Sequence, residues 1–165
     1  MATQLIPCGG WYLRVPRLIV TICICMAWFQ LTGCESAPDS SRIGVFASTT
    51  HGLLELTTYG KEIGEAVYEL PNAQTFPSST SVRSFYINMP DSTITESKLY
   101  WMSSIGKTFN ESGQSPLSIT LVAKREKLYQ VACADLAQKK DGYAILKVSM
   151  PLGQPDRIYV VHVTP

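Results

Sequence analysis

The feature that most constrains the fold is the alternation of apolar and polar residues in short segments between turns. In "VRSFYIN", Phe85 and Ile87 alternate with the polar residues Ser84 and Asn88, and "LSITLVA", residues 117 to 123, repeats the pattern. A period of two is that of a β-strand with one buried face. After the N-terminal segment, no run of about 12 residues carries the apolar stripe of a helix. The sequence therefore predicts strands.

About eight or nine such segments follow Arg42, separated by turns that contain Gly, Pro and Ser. This spacing is typical of sandwiches and barrels. We predict an all-β domain, an antiparallel β-sandwich preceded by an N-terminal signal helix, with a small β-barrel as the alternative. An immunoglobulin-like arrangement fits the strand count, although the Cys…Trp…Cys spacing of that fold is absent. The predicted core consists of Phe85, Ile87, Leu117, Ile119, Leu121, Val131, Leu146, Val148 and Val161.

The composition is that of a globular protein with no basic surface for nucleic acid. The chain has 165 residues, of which 16% are charged and 10% aromatic, so it suits one packed domain with extra segments. The net charge of +1 leaves no broad basic surface for nucleic acid. We therefore expect no nucleic-acid partner.

The N-terminal segment has the order of a secretory signal peptide. Arg14 and Arg17 precede an uncharged run, "LIVTICICMAWFQLTG", from Leu18 to Gly33. The run is shorter than the roughly 20 residues that a helix needs to cross a bilayer. The alternatives are a short single-pass anchor and a buried helix.

The run ends at "LTGC", residues 31 to 34. This tetrapeptide, after a basic and an apolar region, resembles the lipobox of bacterial lipoproteins. The resemblance implies cleavage between Gly33 and Cys34, a diacylglyceryl group on the Cys34 thiol, and an acylated new amino terminus with chains such as palmitate. It divides the chain into a signal peptide (1–33), a lipidated cysteine with a polar tether (34–42) and a β domain (43–165).

The same resemblance implies the location. Two or more acyl chains hold a protein stably on a bilayer, so the membrane would be a partner through Cys34. The serines and prolines after Cys34 predict a flexible spacer. Glu35 follows the cysteine, and in enteric lipoproteins an Asp there favours the inner membrane. In a Gram-negative host we therefore expect the outer membrane, with the domain facing the periplasm or the cell surface.

Cysteine usage excludes an internal disulfide. Three cysteines would leave with the leader and Cys34 would carry lipid, so only Cys133 would remain free in the domain. The alternation in "LYQVACA" places Cys133 on one face with Tyr129 and Val131, as a small buried hydrophobe. The alternatives are a catalytic thiol, with His51 or His162 as its base, and a thiol that pairs with another chain.

Known chemical motifs are absent. "GKT" at residues 106 to 108 lacks the earlier glycine of a phosphate-binding loop, and HExxH, CxxC and GxSxG do not occur. His51 fits a turn, and His162 fits the solvent face of a strand opposite Tyr159, Val161 and Val163. We therefore expect no catalytic residue, metal site or cofactor.

Four carboxylates, Glu55, Glu62, Glu65 and Glu69, lie close together in sequence and could pair for sugar cleavage. Exposed strand and loop charges are the commoner reason for such a group.

"LYWM", residues 99 to 102, places four large apolar residues in a row. Either both faces of this strand are covered, or Tyr100 and Met102 are exposed as a contact patch. The loops 76–81 and 110–115 are further candidate contact surfaces. We expect a non-enzymatic, lipid-anchored module that binds or helps to assemble another envelope component. The alternative is an envelope hydrolase or small-ligand binder that uses a pocket.

Overall fold

The computed structural model describes residues 38–39, 42–89, 96–125, 128–151 and 153–165. The predicted signal helix, the cleavage site and Cys34 lie outside these residues. In the described part of the chain no helix has the length and apolar character that crossing a bilayer requires. The strands are β1 (Gly44–Thr49), β2 (Gly52–Glu55), β3 (Tyr59–Gly64), β4 (Val67–Glu69), β5 (Ser78–Ser79), β6 (Val82–Asn88), β7 (Glu96–Met102), β8 (Thr108–Asn110), β9 (Thr120–Arg125), β10 (Leu128–Ala132), β11 (Gly142–Ser149) and β12 (Arg157–Val163).

The first sheet has the antiparallel order β2-β1-β6-β10-β9. Strands β1 and β2 form a hairpin whose two-residue loop is Thr50 and His51, and Thr49 pairs with Gly52 across it. Gly52 has a φ of +114°, a left-handed conformation that glycine adopts without steric cost. The prediction that His51 lies in a turn is therefore confirmed.

The second sheet has the order β7-β11-β12-β3-β4-β8 and curls on itself as half a barrel. The short strand β5 pairs in parallel with β12, while the other pairs are antiparallel. The curl brings β8 back over the start of the sheet, because the ring of Phe109 lies 5.1 Å from that of Tyr100 on β7. Three 3₁₀ turns complete the described chain: Ala73–Thr75, Glu111–Gly113 and Ala134–Gln138.

A large apolar core lies between the two sheets, and the inward faces of β1, β6, β7, β10, β11 and β12 contribute to it. Burial of this area is the main stabilising term of the fold. Six of the predicted core residues are buried: Phe85, Ile87, Val131, Leu146, Val148 and Val161. Leu117 and Ile119 are half-buried and pack against the same cluster.

A second core fills the inside of the curled sheet. It consists of Tyr68, Leu70, Phe76, Tyr100, Phe109, Ile145, Ile158 and Val160. Strands β11 and β12 are consequently buried on both faces, as in "YAILKVS", where five consecutive residues from Ala144 to Val148 are buried.

The prediction of an antiparallel all-β domain is confirmed, with the features of both a sandwich and a small barrel. Two details were wrong. Leu121 is 57% exposed rather than in the core, because β9 is the edge of the first sheet. The segment "LSITLVA" is not one strand, since Leu117 forms a bridge with Leu99 of the second sheet before β9 begins. In addition, the predicted loop 110–115 begins within β8, which ends at Asn110.

Described residues before the first strand also contact the domain. Pro38 is buried, and the Arg42 N–H donates to the Asp39 carbonyl oxygen at 2.9 Å. The Asn88 side-chain amide donates to the Arg42 carbonyl oxygen at 2.6 Å. The domain therefore holds part of the segment predicted to be its tether.

Candidate functional site

A dense group of charged and hydroxyl side chains surrounds Glu111, next to the second core inside the curled sheet. The turn that carries it follows β8 and is capped by Asn110, whose side-chain oxygen accepts from the Ser112 N–H at 3.0 Å. The Glu111 N–H donates to the Ala66 carbonyl oxygen at 2.9 Å, in the turn between β3 and β4. These contacts fix the carboxylate over β7 and β11.

Four side chains from three strands converge on this carboxylate. Lys147 Nζ lies 2.6 Å from Oε2, and the Tyr100 hydroxyl donates to Oε1 at 2.6 Å. The Tyr68 hydroxyl donates to Oε2 at 3.3 Å, and Lys98 Nζ lies 3.4 Å from Oε1. We call Glu111, Lys147, Tyr100, Tyr68 and Lys98 the Glu111 cluster.

Further acidic groups compensate both lysines. Lys147 Nζ also lies 3.3 Å from Asp156 Oδ2, and Lys98 Nζ lies 3.5 Å from Glu96 Oε2. Asp156 Oδ1 in turn accepts from the Met150 N–H at 3.0 Å. Every charge at this position therefore has an opposite charge in direct contact.

The protonation states suit a structural ion pair better than catalysis. Burial alone would raise the pKa of Glu111, but hydrogen bonds from Lys147 and Tyr100 outweigh it and lower the pKa to about 2. Burial would lower the pKa of Lys147, yet its hydrogen bond to Glu111 raises the pKa above its usual value. Burial and the Glu111 charge raise the pKa of Tyr100. Near neutral pH the cluster therefore offers neither a free base nor an uncharged amine.

Tyr100 and Met102 are not an exposed contact pair. Tyr100 is 2% exposed and lies in the second core, while Met102 is half-buried against that core. Leu99 and Trp101 face the first core instead. The sequence left two alternatives for "LYWM", and the structure has both faces of β7 covered, because β8 curls over the outer one.

The thiol and the two imidazoles lie in different environments. Cys133 is buried in the first core beside Val131, as predicted. His162 lies on the other face of the second sheet, where its ring stacks on Tyr143 at 4.7 Å. His51 is exposed in the β1–β2 turn. The structure thus does not bring Cys133 to His162 as a nucleophile and base.

The sequence cluster of carboxylates is dispersed over exposed positions. Glu55 pairs with Arg42 at 2.7 Å, and Glu62, Glu65 and Glu69 are exposed on β3, β4 and their turn. Among the described residues, no group of three or more His, Cys, Asp or Glu side chains is placed to hold a metal ion. The hydrolase alternative receives no support from these residues.

A shallow hollow of about 170 Å³ lies beside the β1–β2 turn, lined by Thr49, His51, Gly52, Leu53, Leu54, Ser78 and Ser79. Ligand pockets for drug-sized molecules usually measure about 300–1,000 Å³. The hollow is therefore too small to enclose such a ligand.

The loops predicted as contact surfaces differ in exposure. In loop 76–81, Phe76 is buried in the second core, and in loop 110–115, Glu111 belongs to the cluster. The clearest exposed apolar surface on a described strand is instead on β9, where Leu121 and Val122 are 57% and 55% exposed.

Sequence reasoning missed Glu111, because a Glu in a polar, Gly-containing loop has no distinguishing pattern. Lys147 did carry a signal, since it is a single charge in the apolar strand "YAILKVSM". A charge in that setting predicts a buried partner of opposite sign.

Comparison of the chain with models of protein families, with curated proteins and with solved structures finds no match. The functional argument therefore depends on the residues and geometry described above.

Proposed function

We propose that this chain is a lipid-anchored protein of the cell envelope whose β domain acts as a binding or assembly module for another envelope component. The basic, apolar and "LTGC" segments in that order support the anchor. The lipid on Cys34 would fix the location, so the domain itself needs only a contact surface.

The Glu111 cluster supports binding over catalysis. A catalyst needs a nucleophile, a nearby acid or base and donors for developing charge. In this cluster the ammonium of Lys147 and the carboxylate of Glu111 neutralise each other at 2.6 Å, and the Tyr100 hydroxyl donates a hydrogen bond to the same carboxylate. Such a pair holds the curled sheet closed.

The observation that carries the proposal is the exposed edge of the first sheet. Among the described strands, β9 pairs only with β10, and it exposes two adjacent apolar side chains, Leu121 and Val122. A sheet edge has unpaired N–H and C=O groups that can accept another strand. We therefore place the contact with an extended segment of an envelope protein at β9.

Site-specific photocrosslinking in intact cells tests this proposal. A crosslinking residue at Val122 should capture a discrete envelope protein, whereas one at Glu65, exposed in the β3–β4 turn, should capture much less of it. The double substitution of Leu121→Ser and Val122→Ser should weaken the same crosslink formed from Thr120.

Equal capture from Val122 and Glu65 would contradict the β9 surface. Absence of capture, together with turnover of a cell-wall or peptide substrate that is lost on Cys133→Ala or His162→Ala, would contradict the binding function.

A further inference from the structure

The residues that follow the predicted anchor lie at one end of the first sheet. Strand register places Gly44 opposite Asn88, Asn88 opposite Leu128, and Phe46 opposite Glu55. The start of β1, the ends of β2 and β6 and the start of β10 therefore lie at the same end, which we call the anchor end.

The opposite end of the first sheet contains the β1–β2 turn. Thr49 pairs with Gly52 across the β1–β2 turn, and the Thr50 and Thr80 hydroxyls lie 2.7 Å apart. We call this the distal end. Because β1 has six residues and a strand rises about 3.3 Å per residue, Ile43 and His51 lie roughly 20 Å apart along the sheet.

The segment before β1 is tied to the anchor end. The Arg42 carbonyl oxygen accepts from the Asn88 side chain at 2.6 Å, and the Arg42 guanidinium lies 2.7 Å from Glu55. The same guanidinium lies 4.9 Å from the centre of the Phe46 ring. The chain therefore enters the domain at a fixed point rather than at a freely moving linker.

The length of chain between Cys34 and this point is short. Eight residue steps separate Cys34 from Arg42, which bounds their distance at about 28 Å even for a fully extended chain. Pro38 is buried, and only four steps, about 14 Å at most, separate it from Cys34. A lipid on Cys34 would thus lie within that distance of the folded domain.

The surface of the anchor end suits a phospholipid headgroup layer. Ile43 is 63% exposed there, while the charge of Arg42 is compensated by Glu55.

We propose that the anchor end of the first sheet rests on the phospholipid surface and that the distal end points away from it. This inference depends on the proposed lipidation of Cys34, because the short connection from Cys34 to Pro38 selects the end that faces the bilayer. The edge of β9 would then stand roughly upright, accessible to a partner from the side.

Fluorescence quenching tests the orientation in the full-length, lipidated protein. The protein is made in a host that processes lipoproteins, in a Cys133→Ala background, and labelled at Ile43→Cys or at His51→Cys. It is then reconstituted in vesicles of phosphatidylethanolamine and phosphatidylglycerol that contain a lipid with a nitroxide on its headgroup. We expect quenching to be several-fold stronger at position 43 than at position 51.

A longer connection supplies the matched control. Inserting about 20 Gly and Ser residues between Glu35 and Ser36 adds a root-mean-square reach of about 25 Å. This insertion should reduce the difference between the two labels towards zero. A difference that persists unchanged would contradict the short connection as its cause.

The outcomes separate the two proposals. Equal quenching at both positions, or stronger quenching at position 51, in protein that floats with the vesicles overturns the orientation and leaves the lipid anchor standing. Protein that does not float with the vesicles overturns both.

Discussion

Lys147 Nζ lies 2.6 Å from Glu111 Oε2, and the side chains are only 11% and 14% exposed. Lys147 is in the middle of β11, the second strand of the curled sheet, and Glu111 is in the turn after β8, the last strand, so the pair joins the two sides of the curl. A pair with so little solvent around it is strongly destabilising to break, because the remaining charge keeps its desolvation cost without its partner. The closure of the second sheet therefore depends on this contact.

We expect Glu111→Gln to lower the free energy of unfolding by about 3 kcal/mol, because Lys147 would lose its nearest counter-charge. Urea denaturation of the leader-free domain measures this change. Glu65→Gln, at an exposed position in the β3–β4 turn, is the control and should change the value by less than about 0.5 kcal/mol. Equal effects of the two substitutions would show that the ion pair adds no stability.

Acid should destabilise the domain in a defined pH range. The folded-state pKa of Glu111 is about 2, below its ordinary value of 4.5, so the unfolded state binds more protons between these values. The stabilisation is complete above about pH 5 and is lost as the pH falls towards 2, with a magnitude of roughly 3 kcal/mol. Denaturation series at several pH values measure the slope.

The same series on Glu111→Gln provides the control for the acid prediction. The slope of the free energy of unfolding between pH 5 and pH 2 should become smaller, because the carboxylate whose folded-state pKa is lowered is no longer present. An identical slope in both proteins would assign the acid sensitivity to other carboxylates.

Tyr100 should matter for stability rather than for contact with a partner. Tyr100→Phe removes a hydroxyl that donates to Glu111 at 2.6 Å and should cost about 1–2 kcal/mol of unfolding free energy. Tyr59→Phe changes a ring at the surface and should cost less than about 0.5 kcal/mol. If Tyr100→Phe left stability unchanged but abolished a crosslink in cells, the contact hypothesis for Tyr100 would have to be restored.

Alternation in the sequence identified strands and the face of each strand that lies in the first core. In "VRSFYIN" it correctly placed Phe85 and Ile87 in that core, but it did not show that Ser84, Tyr86 and Asn88 on the other face are also buried. The sequence of a strand that is buried on both faces does not alternate. The run "LYWM" therefore could not show that β8 covers Tyr100. The same curl explains why Glu111 was missed, since its partners come from β4, β7 and β11 and lie 11 to 43 residues away in sequence.

The edge of the first sheet shows a second limit of alternation. Leu121 continues the pattern of Leu117 and Ile119 and is register partner to the buried Val131. Burial at an edge, however, also depends on whether the second sheet extends that far, which periodicity does not encode. The register shift between Gln130 and Val131 further breaks the regular pairing of β9.

The domain should melt at the same temperature with and without reductant or chelator. Its described free thiol, Cys133, is buried in the first core and forms no disulfide there. Differential scanning calorimetry with dithiothreitol, and separately with EDTA, measures the effect. A drop of several degrees with either agent would reveal an interchain bridge or a metal site.

The most direct test of the lipid anchor is metabolic labelling of cells with a palmitate analogue, followed by membrane fractionation of the wild-type protein and of Cys34→Ala. The "LTGC" order predicts a labelled, shortened wild-type protein in the membrane fraction. The Cys34→Ala protein should be unlabelled and either soluble or uncleaved. Equal mobility, equal membrane association and no label on either protein would contradict the anchor, and with it the location on which the proposed function depends.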